Sequence, residues 1–207
     1  MRVVSFVTQK GGSGKSTLAA SLAVAAQQAG ERVFLLDTDP QGTLSKWIER
    51  RENEEPGFDR VLSSVALEKA LATLGSAGFT LVVIDTAGAD TTTTAAAIRS
   101  SDFCLVPSRP TPADLEATQP TLEAIQATRR KFAFVLSQTP TARSARLTEA
   151  MNALRILGVL AEPPIALRND HQDAMGTGLG VTEFHPDGRA ADEIRQLWGW
   201  ISKKMKG

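Results

Sequence analysis

Apolar and polar positions along the 207-residue chain fall into two alternating rhythms. Short, nearly continuous apolar runs occur at residues 3–8, 32–36, 79–84, 103–106 and 131–136, each the length of a buried strand. Longer stretches with apolar residues every three or four positions lie between and after them, at 15–29, 43–51, 65–74, 91–99, 115–129 (apart from Pro120), 144–157 and 187–205. Gly30, Gly75 and Gly158 close three of these helices. The pairs Val159-Leu160 and Ile165-Ala166 read as weak strands, and residues 52–57 as a solvated polar break. Strands apolar on both faces, alternating with helices, predict a mostly parallel sheet covered on both sides, a three-layer α/β/α fold. No repeat or linker divides the chain, so a single domain over residues 1–207 is expected.

The first strand runs directly into Lys10-Gly11-Gly12-Ser13-Gly14-Lys15-Ser16-Thr17, and a helix follows. Strand, glycine-rich loop and helix together form a P-loop, whose backbone N–H groups and helix N-terminus cradle phosphate oxygens. Lys15 is placed to reach the β- and γ-phosphates, Ser16 to hold Mg²⁺, and Thr17 to bond the α-phosphate. The loop departs from the strict pattern in having Gln9 where a glycine is usual, and it carries a second lysine, Lys10, at its front. An ordinary P-loop has no task for that lysine.

Composition narrows the setting. The chain is 42% hydrophobic, enough for a sizeable core, and no 18-residue apolar run marks a membrane span. The start has neither the apolar length nor the cleavage pattern of a signal peptide. The one cysteine, Cys104, lies in an apolar run, which excludes a disulfide framework and fits a reducing compartment. Formal net charge is zero, so any nucleic-acid contact must come from a local patch.

In an open parallel sheet, ligands bind at the carboxyl ends of the strands. Asp37 and Asp39 close the second predicted strand, and Asp85 closes Leu81-Val82-Val83-Ile84. An aspartate after four apolar residues is the Walker B arrangement, in which the carboxylate holds Mg²⁺. Asp85-Thr86-Ala87-Gly88 also has the Asp-x-x-Gly form of a γ-phosphate switch, ending at Gly88.

With Lys10 in front of the P-loop, the chain resembles the ParA/MinD family of partitioning and positioning ATPases, and most of all its small plasmid-partition members of the ParF type. The resemblance runs from Arg2 to about Met205, specific at the P-loop, at Asp37-Thr38-Asp39-Pro40-Gln41 and at Asp85 to Gly88, and loose after Arg129. It implies a P-loop fold, ATP and Mg²⁺ as cofactors, and slow hydrolysis stimulated by a ParB-type or analogous activator. It implies a homodimer closed over ATP, with Lys10 reaching the partner's nucleotide, Asp39 and Pro40 in a switch that orients the attacking water, and Asp37 beside the metal with Ser16 and Asp85. No Asn/Thr-Lys-x-Asp tetrapeptide reads guanine, which favours ATP. The match to the family's Arg-Asn places adenine against Arg168-Asn169, and the stiff segment carrying Pro107, Pro110 and Pro112 at the dimer interface. ATP-dependent, sequence-independent DNA binding is the implied activity, serving plasmid or chromosome segregation on the nucleoid in the cytoplasm. A positioning adaptor that acts on membranes or protein complexes is the alternative.

Candidate DNA contacts are Arg129-Arg130-Lys131, Arg143, Arg146, Arg189, Arg195, Lys203, Lys204 and Lys206, each also explicable as a solvated helix end. The chain begins at the first strand with no helix-turn-helix before it, so a specific operator contact is not expected. The tail from Leu197 to Lys206 carries two tryptophans and three lysines, the residue types of a membrane-surface helix. Ile194, Leu197, Trp198, Ile201 and Met205 nevertheless share one helical stripe, and packing on the sheet is the favoured reading over membrane. His171 and His185 are expected on the surface, and the cluster Gly176 to Gly180 as a mobile turn.

Overall fold

The computed structural model describes residues 1–89, 91–142 and 144–206. From the amino end, β1 (Arg2–Phe6), α1 (Lys15–Gln28), β2 (Val33–Asp37), α2 (Thr43–Ile48), β3 (Gly57–Arg60), α3 (Ser64–Ser76), β4 (Leu81–Asp85), α4 (Thr92–Ser100) and β5 (Phe103–Ser108) follow in turn. Then come α5 (Pro112–Glu116), α6 (Gln119–Ala127), β6 (Lys131–Leu136), α7 (Ala145–Leu157), α8 (Asn169–Gly176), α9 (Val181–Phe184) and α10 (Arg189–Lys206). The strands form one sheet in the order β3-β2-β4-β1-β5-β6, and every pairing is parallel.

Strand periodicity sorts the core into two sides. Leu81 and Val83 of β4 pack with α1, α2, α8, α9 and α10, while Val82 and Ile84 pack with α3 and α4. The β5–β6 end of that second side is closed by α4, α6 and α7. α1 is buried without interruption from Leu18 to Ala26, and alanine makes up five of those nine residues. A helix apolar on every side belongs in an interior, and small side chains let α10 lie over it. Ile194, Leu197, Trp198 and Ile201 of α10 join that core, with Met205 packed against it. The tryptophan-lysine tail is therefore a core-facing helix, and among the described residues no helix is long and apolar enough to cross a membrane.

The outcome departs from the sequence pattern at several places. Residues 57–60, at the end of the polar break read over 52–57 and just after it, form an edge strand, because pairing with β2 supplies the order that the apolar pattern does not. The helix expected over 115–129 is two, α5 and α6, broken before Pro120. The weak strands at 159–160 and 165–166 make only single bridges beside β6, since Pro163 and Pro164 between them have no N–H to donate. α8 and α9 were not expected. Within the glycine cluster between them, read as a mobile turn, Gly178 and Gly180 are buried and closely packed, while Gly176 and Thr177 are exposed. Gly178 has φ 74°, and its carbonyl accepts from the Arg51 guanidinium at 2.9 Å. Trp47 Nε1 donates to the neighbouring Leu179 carbonyl at 3.1 Å.

The proline segment is also corrected. Pro107 sits within β5 and Pro110 is buried, leaving Pro112 exposed at the start of α5, so it is not a surface loop throughout. The strand tolerates Pro107 because that residue faces the β1 side of β5, beyond the Val7 N–H to Leu105 carbonyl bond that ends the ladder there.

A Cβ at Gly178 would lie 2.6 Å from the Arg50 carbonyl carbon and the Arg51 nitrogen. Gly178→Ala is expected to lower stability by about 2 kcal/mol, from the left-handed backbone and this clash. Urea unfolding followed by circular dichroism measures the loss.

Candidate functional site

β1, β2 and β4 end level with one another. Phe6 pairs with Asp85, and Asp37 pairs with the same Asp85 across β2 and β4. This register puts the glycine loop and both aspartates at one rim of the sheet. Gly12 and Gly14 adopt φ 75° and 90°, conformations that L side chains resist, and Gly14 is the N-cap of α1. No side chain caps that helix. Among the described residues, the backbone N–H groups of Gly11 through Thr17 donate to no protein acceptor. A helix N-terminus with unclaimed donors is an anion site in waiting.

Lys15 is almost fully buried, and its ammonium donates to the Thr8 carbonyl at 3.2 Å. Burial lowers its pKa, while Asp85 and then Asp39 work the other way. Asp85 is fully buried and neither carboxylate oxygen makes a hydrogen bond of good geometry. Desolvation pushes its carboxyl up to about 7, and the nearby Ser16 hydroxyl opposes this only in part. A buried carboxylate without donors, beside a hydroxyl and phosphate-ready N–H groups, fits the set of oxygens that Mg²⁺ takes together with phosphate. Asp85 and Ser16 are the residues that would hold the ion.

Asp37 is placed differently. It too is fully buried, but Oδ1 accepts from the Asp39 N–H at 3.0 Å, and Oδ2 accepts from the Ser45 N–H and hydroxyl, both at 3.0 Å. It thereby anchors the start of α2 and sets the position of Asp39. Both oxygens of Asp37, read from sequence as lying beside the metal, are thus engaged by protein donors. Asp39 itself is half-buried and, with Pro40, lines an open cleft of about 680 Å³. Gly11 to Thr17 form one wall of that cleft, and Ala87, Gly88, Ala89 and Thr91 another. Lys10 is half-buried, does not line the cleft, and its ammonium has no partner among the described residues.

Ser137 and Gln138 were missed from sequence, although their place just past the end of β6 is where the sheet rule puts ligand contacts. Ser137 Oγ donates to the Ser13 carbonyl at 2.8 Å, and Gln138 Nε2 to the Gly12 carbonyl at 2.8 Å. Gln138 holds φ 52°, a rare conformation for a residue with a side chain. Together they brace the P-loop from the side.

A second cavity of about 130 Å³ opens beside the cleft and shares Gly14, Thr17 and Gln138 with it. Its far wall is Ile165, Ala166, Leu167, Arg168, His171 and Gln172. Arg168 is thus brought to the site, but its guanidinium pairs with Glu193 at 2.7 Å. Asn169 opens α8, is exposed, and does not line the cavity. His171 corrects the surface assignment. It is 8% exposed, because α8 turns it inward, and neither ring nitrogen has a partner among the described residues. Burial lowers its pKa, so the ring is neutral at neutral pH. His185 does lie at the surface, beside Asp170.

The basic candidates do not gather at this rim. Arg146 is exposed on α7 and Arg189 begins α10, on opposite sides of the sheet. Lys203 and Lys204 are exposed near the other end of α10, about 21 Å along the helix from Arg189 at 1.5 Å per residue. Arg143 lies outside the described residues.

The CobQ/CobB/MinD/ParA nucleotide binding domain matches residues 4–191. The chain is 33% identical over 208 residues to Maintenance of carboxysome distribution protein A of Gloeobacter kilaueensis, covering 99% of this chain and 94% of that protein. It is 33% identical to the protein of the same name from Halothiobacillus neapolitanus, over 91% of this chain and 90% of that one. Among solved structures, the fold is similar to an ATP complex of a Cyanothece McdA variant, with a TM-score of 0.79, 17% identity and coverage of 100% and 96%. It is equally similar to the septum site-determining protein MinD of Pyrococcus horikoshii complexed with Mg-ADP, with a TM-score of 0.79, 17% identity and coverage of 98% and 96%. With its phosphate loop, paired strand-end aspartates and nearly full-length match, the chain belongs to the CobQ/CobB/MinD/ParA family of nucleotide-binding domains.

Proposed function

We propose that this chain is a ParA/MinD-type ATPase that uses ATP and Mg²⁺ to dimerise and position a cargo. The observation that carries the reading is the division between two lysines of one loop. Lys15 is buried beside Asp85 inside the cleft, while Lys10 stands outside the lining with no partner for its ammonium among the described residues.

In this reading the triphosphate lies along Gly11 to Thr17, where the unclaimed N–H groups and Lys15 meet its oxygens, and the base enters the second cavity. Mg²⁺, held by Ser16 and Asp85, would neutralise charge on the phosphate oxygens. Asp39, set by Asp37, orients a water for attack on the γ-phosphorus. The bond to the β–γ bridging oxygen breaks, yielding ADP and phosphate. Lys10 from a second subunit stabilises the charge spreading over the transferring group, as a finger supplied in trans does. Hydrolysis then depends on dimerisation, with exposed Pro112 the remaining proline at that interface. Pro107 and Pro110 support the interface from within.

ATP-dependent, sequence-independent DNA binding is the matrix for positioning, with an activator protein releasing the dimer by triggering hydrolysis. A dimer doubles and juxtaposes basic residues that one subunit keeps apart, Arg146, Arg189, Lys203 and Lys204 among them. The setting is the cytoplasm, on the nucleoid. Nearly full-length similarity to proteins named for carboxysome distribution supports a protein assembly as cargo, the alternative reading from sequence. Segregation of plasmid or chromosomal DNA with a ParB-type partner is the second reading, supported by the ParA members of the family. Membrane attachment through the tail has little support, since the apolar stripe of α10 is already packed in the core.

Three outcomes are expected. Lys10→Ala retains ATP binding but loses ATP-dependent dimers, and its turnover falls by on the order of 10³-fold. Turnover assays and sedimentation velocity check this, and unchanged turnover refutes the trans-lysine mechanism. Asp85→Asn abolishes Mg²⁺-dependent hydrolysis, yet stabilises the nucleotide-free protein by about 1–3 kcal/mol because a buried charge without donors is removed. Thermal unfolding without nucleotide reads that gain. Co-sedimentation with non-specific duplex DNA should require ATP and Mg²⁺, fail with ADP, and weaken steeply between 50 and 200 mM salt. ATP-dependent dimers that ignore DNA would instead point to a protein-only scaffold or a membrane.

A further inference from the structure

The outer wall of the second cavity is held from a distance. Residues 165–167 run beside the end of β6. Ile165 N–H donates to the Leu136 carbonyl at 2.8 Å, the Ile165 carbonyl accepts from Thr139 N–H at 3.0 Å, and Leu167 N–H donates to the Thr139 carbonyl at 2.8 Å. In an extended chain successive N–H groups point to opposite sides. Ala166 N–H therefore points away from β6, with no strand to receive it. Ala166 is 6% exposed, so an unanswered donor there would be costly.

Glu193, on α10, answers it. Oε2 accepts from Ala166 N–H at 3.0 Å. Oε1 accepts from Arg168 Nη2 at 2.7 Å and from Arg168 Nε at 3.2 Å. One carboxylate thus clamps two residues of the wall, and both its side chain and that of Arg168 are at least four-fifths buried. Its charge also reaches His171, the unpartnered ring on the same wall. Opposite stand Gly14, Thr17 and Leu18. Glu193 lines neither the cleft nor the cavity, and among the described residues its hydrogen bonds to the site go to Ala166 and Arg168.

We propose that Glu193 is a positioning residue for the nucleotide: by fixing Ala166 and Arg168 it holds the wall against which the base rests. The proposal rests on the reading of the second cavity as the base site. It separates the two halves of nucleotide recognition. The phosphates are gripped by the loop and Lys15, which Glu193 does not contact, and the base by a wall that depends on it. Arg168 then acts as a strut of the wall.

The test compares ATP with inorganic tripolyphosphate, which offers the phosphates without a base. Binding to the full chain in Mg²⁺ is measured by titration calorimetry for the wild type, Glu193→Ala, Glu193→Gln and Arg168→Ala. The wild type should bind ATP more tightly than tripolyphosphate. Glu193→Ala should weaken ATP about tenfold, the scale of one lost charge-assisted hydrogen bond, and leave tripolyphosphate unchanged. In turnover this reads as a raised KM with kcat retained. Glu193→Gln, which keeps an acceptor for Ala166, should recover part of the affinity. Adding Arg168→Ala to Glu193→Ala should cost less than the sum of the two. Equal weakening of both ligands, or of neither, overturns the role given to Glu193. A wild type that binds tripolyphosphate as well as ATP overturns the base-cavity reading itself, and the proposal with it.

Discussion

Asp85 is an ionisable group sealed at the end of a central strand, fully buried and, among the described residues, without a hydrogen bond of good geometry to either oxygen. Folding alone gives no reason to keep it, because a buried charge without donors opposes the folded state. The Ser16 hydroxyl offsets part of that cost, and the charge of Lys15 a smaller part, but Lys15 is buried as well and spends one donor on the Thr8 carbonyl. The like charges of Asp37 and Asp39 lie close enough to make ionisation of Asp85 harder still. The rim of the sheet is thus incomplete by its own electrostatics, and a polyphosphate with a divalent cation completes it. Much else in the molecule serves to hold that incompleteness in place. The parallel register levels Asp37, Phe6 and Asp85, and the alanine-rich α1 gives the loop an immovable base.

The supports around this rim come from distant parts of the chain. Ser137 and Gln138 bond the loop from the end of β6, and Thr121 Oγ1 receives the Gln9 N–H at 3.3 Å. α2 is pinned at both ends, by Asp37 at its start and through Trp47 and Arg51 to the carbonyls of Leu179 and Gly178 beyond. Arg51 also forms a bidentate pair with Glu183 at 2.8 and 2.7 Å, with its own side chain wholly buried. A segment that carries Asp39 at its front is therefore fastened to α9 at its back. Preorganisation of this kind lets a site stabilise charge without reorganising at the moment of reaction.

Much of this was legible in the sequence because the signals are local. Strand, glycine loop and helix follow one another without a gap, so the P-loop could be placed to the residue. Asp85 was legible as the polar stop of an apolar run. Lys10 stood out because nothing in an ordinary loop needs it. The stripe on α10 was readable from its three-to-four spacing, even though its residue types also suit a membrane. Local signals failed where order comes from a neighbour far along the chain. β3 is polar and short, and only β2 makes it a strand. His171 looked like a surface residue beside acids, yet α8 turns it inward. Gly178 looked like a loose turn until Arg51 and Trp47 were seen to close on it.

By itself, the amino-acid sequence determined the alternating strand-helix architecture, the phosphate loop and the acidic strand ends, since each depends on residues adjacent in the chain. Only the tertiary structure decided that Asp37 is spent on Ser45 and Asp39 while Asp85 keeps both oxygens unclaimed, because two strand-end aspartates look alike until their neighbours are known. It alone decided that Pro107 and Pro110 lie inside, that Arg168 is turned toward Glu193, and that the basic candidates are dispersed over opposite sides of the sheet. Those outcomes depend on which elements pack together, and packing is settled by the whole chain at once.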